Sequence, residues 1–150
     1  CYGFDRSHFD FRSKNVLGGV MEYREQLEKL LENSYSPYSH YAVSSIVVMK
    51  DGHVFTGVNV ENASYGAAVC AERVAILKAV SEGYRKGDFA EIHVMTSGNT
   101  LASSCFLCRQ VMTEFMDMDN PVILYAKSGA KEEYTVKDLC PYPFTGDDLA

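Results

Sequence analysis

The run Val122-Ile123-Leu124-Tyr125-Ala126 constrains the fold more than any other part of the chain. A strand that is apolar at successive positions offers no side to water, so it must lie in a sheet covered on both faces. A helix from Val20 that stops near Asn33-Ser34 supplies one such cover. Val20, Tyr23, Leu27, Leu30 and Leu31 recur at intervals of three and four with Glu22, Arg24, Glu25, Glu28 and Lys29 between them, which predicts an amphipathic helix ending ahead of Pro37. Val74, Ala75, Leu77 and Val80 predict a second helix over 70–82, stopped at Gly83, and residues 105–116 a third, with Val111, Met112 and Phe115 turned inward. Residues 42–50 and 53–59 are β-rich and flank Asp51-Gly52, a pair suited to the type I′ turn of an antiparallel hairpin. Residues 91–96 read as another strand and Tyr134-Thr135-Val136 as a short edge strand. The order helix, strand, strand, helix, strand, helix, strand implies an α/β protein with a mixed sheet and helices on both faces.

A chain of 150 residues makes one domain of ordinary size. Residues 1–18 lack a period and lead into Gly18-Gly19, so they read as an N-terminal extension with loose or accessory structure, and 19–150 as the folded domain. No run approaches the ~18 consecutive apolar residues of a membrane-spanning helix, and the opening residues lack the basic-then-apolar order of a secretory signal. No membrane association and a cytoplasmic location are expected. Charge narrows the partners further: 14 Lys+Arg against 20 Asp+Glu leave a formal charge of −6, and the basic residues are scattered among acids. A nucleic acid polymer is a poor partner for such a surface, and a small neutral ligand a better one. The polar, aromatic loop 34–41, with Tyr35, Tyr38, His40 and Tyr41, reads as a ligand wall or an interface.

Five cysteines are an odd number in a chain too large to need disulfide staples, so reduced thiols are expected. Cys105 and Cys108 form a C-x-x-C whose members share one helix face, and both can reach one metal ion. That signal alone is equally a redox dithiol or inert packing. Cys70-Ala71-Glu72, opening the preceding helix, adds a third thiol and a carboxylate that a redox dithiol does not require. Three thiolates leave one position of a tetrahedral zinc for water, the pattern of a catalytic site, with Glu72 as the base beside it. A fourth ligand from Cys140, His8, His40, His53 or His93 would make the site structural instead, and spacing leaves that alternative open. Three thiolates on a dication carry one net negative charge, which disfavours ionising bound water; two helix amino termini and Arg73 are placed to offset it. Cys1 and Cys140 read as bystanders, Cys140 as a buried small hydrophobe.

Four separated segments carry a resemblance. Asn59-Val60-Glu61-Asn62-Ala63, Cys70-Ala71-Glu72-Arg73, Lys78-Ala79-Val80-Ser81-Glu82-Gly83 and Ser104-Cys105-Phe106-Leu107-Cys108-Arg109-Gln110, in that order, resemble the small homotetrameric cytidine deaminases with a three-cysteine zinc site, over roughly residues 20–149. The resemblance implies a three-layer α/β/α fold with a mixed five-stranded sheet. It implies one Zn²⁺ per subunit on Cys70, Cys105 and Cys108, with Glu72 as proton shuttle. Arg73 then partly neutralises the thiolates, the Ala71 backbone N–H donates to the pyrimidine O2, and Ser104 offers a backbone carbonyl near the leaving amine. Asn59 and Glu61 match the pair that hydrogen-bonds the ribose; read from the residues alone, both equally cap a loop. Tyr41 stands against the base, and Phe144 matches the aromatic lent by a neighbouring subunit of a homotetramer.

The implied reaction is hydrolytic deamination of cytidine or deoxycytidine in pyrimidine salvage, with water attacking C4 and no organic cofactor. The chain departs from the family pattern at Ser104, where a proline is usual, at Phe106 and Leu107, where Gly-Ala is usual, and at Val43-Ser44-Ser45. The added volume of Phe106 and Leu107 is expected to go into the core or the pocket, where small-to-large changes are costly. A bulkier aminopyrimidine nucleoside of the blasticidin S type is therefore an alternative substrate. A non-catalytic zinc-stabilised module is the alternative from a different class, and a redox dithiol ranks below both.

Overall fold

The computed structural model describes residues 22–150. The expected extension 1–18, with Cys1 and His8, lies outside the described residues. One five-stranded sheet has the order β2-β1-β3-β4-β5. β1 (Val43–Met49) runs antiparallel to β2 (Val54–Val58) and to β3 (Phe89–Thr96), β3 is parallel to β4 (Pro121–Ala126), and β4 is antiparallel to β5 (Lys131–Thr135). The expected mixed sheet is therefore observed, with α1 (Tyr23–Leu31) ahead of it, α2 (Ala71–Ser81) between β2 and β3, α3 (Phe106–Phe115) between β3 and β4, and the short α4 (Val136–Leu139) after β5. Among the described residues no helix is long and apolar enough to cross a membrane.

Alternation along the strands divides the core into two layers. Val122 and Leu124 join Ile92, Val94, Val47 and Met49 against Ala75, Ile76 and Ala79 of α2 and Cys108 and Met112 of α3. Ile123 and Tyr125 join Ile46 and Met95 on the opposite face, against Leu27 of α1. The apolar run 122–126 is thus covered on both sides, as an all-apolar strand must be. Ser44 is fully buried under α1, where its hydroxyl donates to Leu27 O at 2.8 Å.

Several local expectations are corrected. The hairpin turn is not type I′, because Asp51 does not adopt a positive φ, whereas Gly52 does (φ 89°). Gly52 N donates to Met49 O at 2.9 Å and Met49 N to His53 O at 2.8 Å, so the loop has three residues, a β-turn followed by glycine in the left-handed region. β3 begins at Phe89, two residues earlier than the pattern suggests, because the fully buried Phe89 pairs with Met49 across a register shift and packs on Phe115. The edge strand is 131–135 rather than 134–136. Its charged first residues hide it from a hydrophobic pattern, and Val136 instead starts α4 behind a capping box of Thr135 and Asp138.

Two antiparallel steps in succession leave β2 and β3 running in the same direction. The chain therefore leaves both strands at one edge of the sheet, and α2 and α3 both start near that edge. In open α/β sheets this is where sites form.

Candidate active site

Cys70 and Cys105 are the N-cap residues of α2 and α3, both in extended backbone, and neither thiol is used as a helix cap. Cys108 lies one turn into α3 and is fully buried, Cys70 is half-buried, and Cys105 is exposed. Their sulfurs converge from two helix starts: Cys70 Sγ is 3.8 Å from Cys105 Sγ, which is 3.6 Å from Cys108 Sγ. Sulfur donors about 2.3 Å from a tetrahedral zinc lie ~3.8 Å apart, so the trio fits one zinc ion without rearrangement. It is the one group of three or more potential ligands that the described residues bring together. Cys140 is absent from it and makes a backbone bond to Val136 O. His53 pairs with Asp51 at 3.1 Å, and His93 is buried on β3 between Glu91 and Tyr125.

The electrostatics are arranged around these sulfurs. The hydrogen bond from Cys108, with Arg73 beside it, lowers Cys70 to about 5, while that same bond and burial push Cys108 up. Arg73 donates from one guanidinium nitrogen to Cys70 Sγ at 3.6 Å and to Ala68 O at 3.4 Å. The amino termini of α2 and α3 add positive partial charge at the same point. Glu72, the second residue of α2, is only 4% exposed, and burial pushes its carboxyl above the usual range, against the opposing influence of the Ser104 hydroxyl. Ser104 is itself buried, and its Oγ makes no hydrogen bond of ordinary geometry. Its backbone carbonyl accepts from Arg109 Nε at 2.7 Å. The backbone N–H of Ala71 is among the first four of α2, which have no acceptor within the helix.

A cavity of about 350 Å³ is lined by Tyr38, Ser39, Glu61, Asn62, Tyr65 and Ala68, the residue whose carbonyl accepts from Arg73. Ser39 donates its hydroxyl to Glu61 Oε1 at 2.6 Å and its N–H to Oε2 at 3.2 Å, which holds the carboxylate on the wall. Asn59 is occupied structurally: Oδ1 accepts from Ser34 Oγ at 2.5 Å and Val43 N at 2.8 Å, and Nδ2 donates to Tyr41 O at 2.8 Å. The Tyr41 ring lies over Gly98, where even a methyl group would stand 3.3 Å from it. Phe144 is exposed on the C-terminal segment, its carbonyl held by Gln110 Nε2 at 2.8 Å.

Phe106 and Leu107 enter neither core nor pocket, contrary to expectation. They are 73% and 65% exposed, because the first two positions of α3 face outward while Cys108 faces in, and the Arg109 guanidinium lies 4.3 Å from the Phe106 ring centroid. Sequence reasoning also missed Ser39 as the partner of Glu61. The tyrosine-rich composition of loop 34–41 is the signal that points to it.

A three-layer α/β/α sheet with three thiols at two helix starts and a buried carboxylate alongside defines a metal-dependent site of hydrolytic type. A family model described as the cytidine and deoxycytidylate deaminase zinc-binding region matches residues 20–124, and the chain belongs to this family. It is 44% identical over 118 residues to the cytidine deaminase of Halalkalibacterium halodurans, spanning 79% of this chain and 88% of that protein. It is 38% identical over 134 residues to the probable cytidine deaminase of Dictyostelium discoideum, spanning 84% and 88%. The crystal structure of cytidine deaminase from Burkholderia pseudomallei is similar at a TM-score of 0.78 and 38% identity, covering 83% of this chain and 100% of that one.

Proposed function

We propose that the protein hydrolyses cytidine and deoxycytidine to uridine and deoxyuridine, releasing ammonia, as a zinc-dependent deaminase of pyrimidine salvage. Cys70, Cys105 and Cys108 hold the metal, which when bound supplies Lewis-acid activation of a water molecule. Glu72 takes one proton from the attacking water and delivers it to ring N3, then moves the second, from the hydroxyl left on C4, to the 4-amino group, so that the C4–N bond breaks and the C4 carbonyl forms as ammonia leaves. The Ala71 N–H binds the pyrimidine O2, and the Ser104 carbonyl accepts from the amine. Tyr41 packs on the base, while Glu61, presented by Ser39, and the one Nδ2 N–H of Asn59 not given to Tyr41 O orient the sugar; holding the ring against Glu72 converts position into rate. Arg73 offsets the charge of the thiolates. Phe144 covers the base in a neighbouring subunit of a homotetramer, and the enzyme works in the cytoplasm.

The observation that carries this reading is the burial of Glu72 two residues after a sulfur ligand, at the start of the same helix. A closed structural site would need a fourth protein ligand, and among the described residues no histidine, cysteine or carboxylate joins the trio. Glu72→Gln is expected to lower turnover of cytidine by about 10²–10⁴-fold while zinc per chain stays at the wild-type value. Unchanged turnover in that variant, or no change in cytidine absorbance with zinc-loaded wild type, would refute the reading.

A further inference from the structure

Two of the three sulfur donors sit on one turn, 105–108, yet the exposed Cys105 is not held by packing as Cys108 is. Arg109 compensates. Its side chain folds back along its own helix instead of reaching into solvent: Nε donates to Ser104 O at 2.7 Å and one terminal nitrogen to Ser103 Oγ at 2.9 Å, so it grips the two residues immediately before Cys105. The other terminal nitrogen donates to Leu139 O, the last residue of α4, at 2.9 Å, and the guanidinium plane is braced by the Phe106 ring. Arg73 and Arg109 thus divide the work. Arg73 touches a sulfur atom, whereas the polar contacts of the Arg109 guanidinium are to two backbone carbonyls and one hydroxyl.

We propose that Arg109 is the positioning residue of the metal centre, fixing the Ser104–Cys105 peptide plane and anchoring that turn to α4 so that Cys105 Sγ stays at its distance from Cys70 and Cys108. The peptide that presents its carbonyl to Arg109 also carries the Cys105 N–H, so one clamp sets the direction from which the exposed thiol enters the site. The role is geometric and requires the planar fork of arginine: three donors in fixed directions reach three acceptors on two segments, which a lysine ammonium cannot reproduce. Groups that orient metal ligands without touching the metal commonly alter metal affinity by 10–100-fold.

The inference rests on the trio holding zinc, and the test separates the two ideas. Zinc release to a chelator is measured for wild type, Arg109→Met, Arg109→Lys and Ser103→Ala, with circular dichroism to establish folding, and the ligand-field bands of the cobalt-loaded proteins are compared. Both Arg109 variants are expected to release zinc at least about tenfold faster. Ser103→Ala, which removes one arm, should show a smaller increase, and the cobalt bands should shift in all three, which a simple loss of stability would not cause. Wild-type release and bands in Arg109→Lys would assign Arg109 to charge and overturn the proposal. If the Arg109 variants do not fold, unchanged release and bands in Ser103→Ala overturn it. Wild-type protein unable to hold zinc would refute the metal centre and the clamp together, whereas equally tight zinc in wild type and variants refutes the clamp alone.

Discussion

His93 illustrates what one residue can contribute far from the chemistry. It lies on β3, on the face covered by α1, with Nδ1 3.1 Å from Tyr125 Oη, Nε2 2.9 Å from Glu91 Oε1, and the Tyr23 ring 4.3 Å away. Burial pulls its pKa below the ordinary histidine value, with the charge of Lys131 acting in the same direction and the hydrogen bond and charge of Glu91 acting against both. A histidine whose folded pKa is depressed resists protonation in the native state but accepts it on unfolding. Its contribution is therefore fully present above the unfolded pKa of ~6.5 and is lost as pH falls toward the folded value. Denaturant unfolding of wild type and His93→Gln between pH 7.5 and 5.5 should show wild type losing stability more steeply, the gap widening by at most ~1.4 kcal/mol per pH unit, the limit for one proton. Thiol protonation affects both proteins and cancels in the difference, so parallel curves would contradict the assignment. The apolar alternation of β3 predicts a strand through His93, but nothing local reveals that both ring nitrogens find partners there.

At the scale of elements, the site depends on how closely α2 lies on β2. Gly57, buried in the middle of β2, makes that approach possible: a Cβ there would come within 2.6 Å of Ala75 N, and closer still to the Ala71 carbonyl. Those atoms belong to the first turns of the helix that carries Cys70 and Glu72. Gly57→Ala is thus expected to cost about 1–3 kcal/mol through overpacking and to lower the zinc retained per chain, read by thermal melting and metal analysis. A melting temperature and zinc content equal to wild type would show that α2 has room to move. The same scale explains which elements are legible. α2 and α3 are recovered within a residue of their ends because their periodicity and stops are local, including Gly83 after α2 at φ 102°, whereas α1 starts at Tyr23 rather than Val20 and the short α4 carries no period to announce it. The edge strand 131–135 is misplaced because a charged edge lacks the pattern of a buried strand.

For the whole molecule, the exposed C-terminal aromatics matter most. Tyr142 is 98% and Phe144 57% exposed, on a segment that Gln110 and Arg109 tie back to α3. If Phe144 serves a neighbouring subunit, mixing Glu72→Gln with Phe144→Ala subunits under conditions that permit exchange should create sites with an intact Glu72 and a borrowed Phe144. Activity above the sum of the separate variants is the expected outcome, and strictly additive activity would place Phe144 outside any shared site. The amino-acid sequence by itself determined the order of the elements through β4, the presence of a thiol at each of two helix starts, and a carboxylate two residues after the first. These follow from periodicity, capping and spacing, which act over a few residues. Tertiary structure alone decided that Cys70 meets Cys105 across 35 residues of chain, that Glu72 is buried, and that Phe106 and Leu107 face outward. The physical reason is strand order: only once β2 and β3 run in the same direction in one sheet do the starts of α2 and α3 face each other, and no local pattern encodes that pairing.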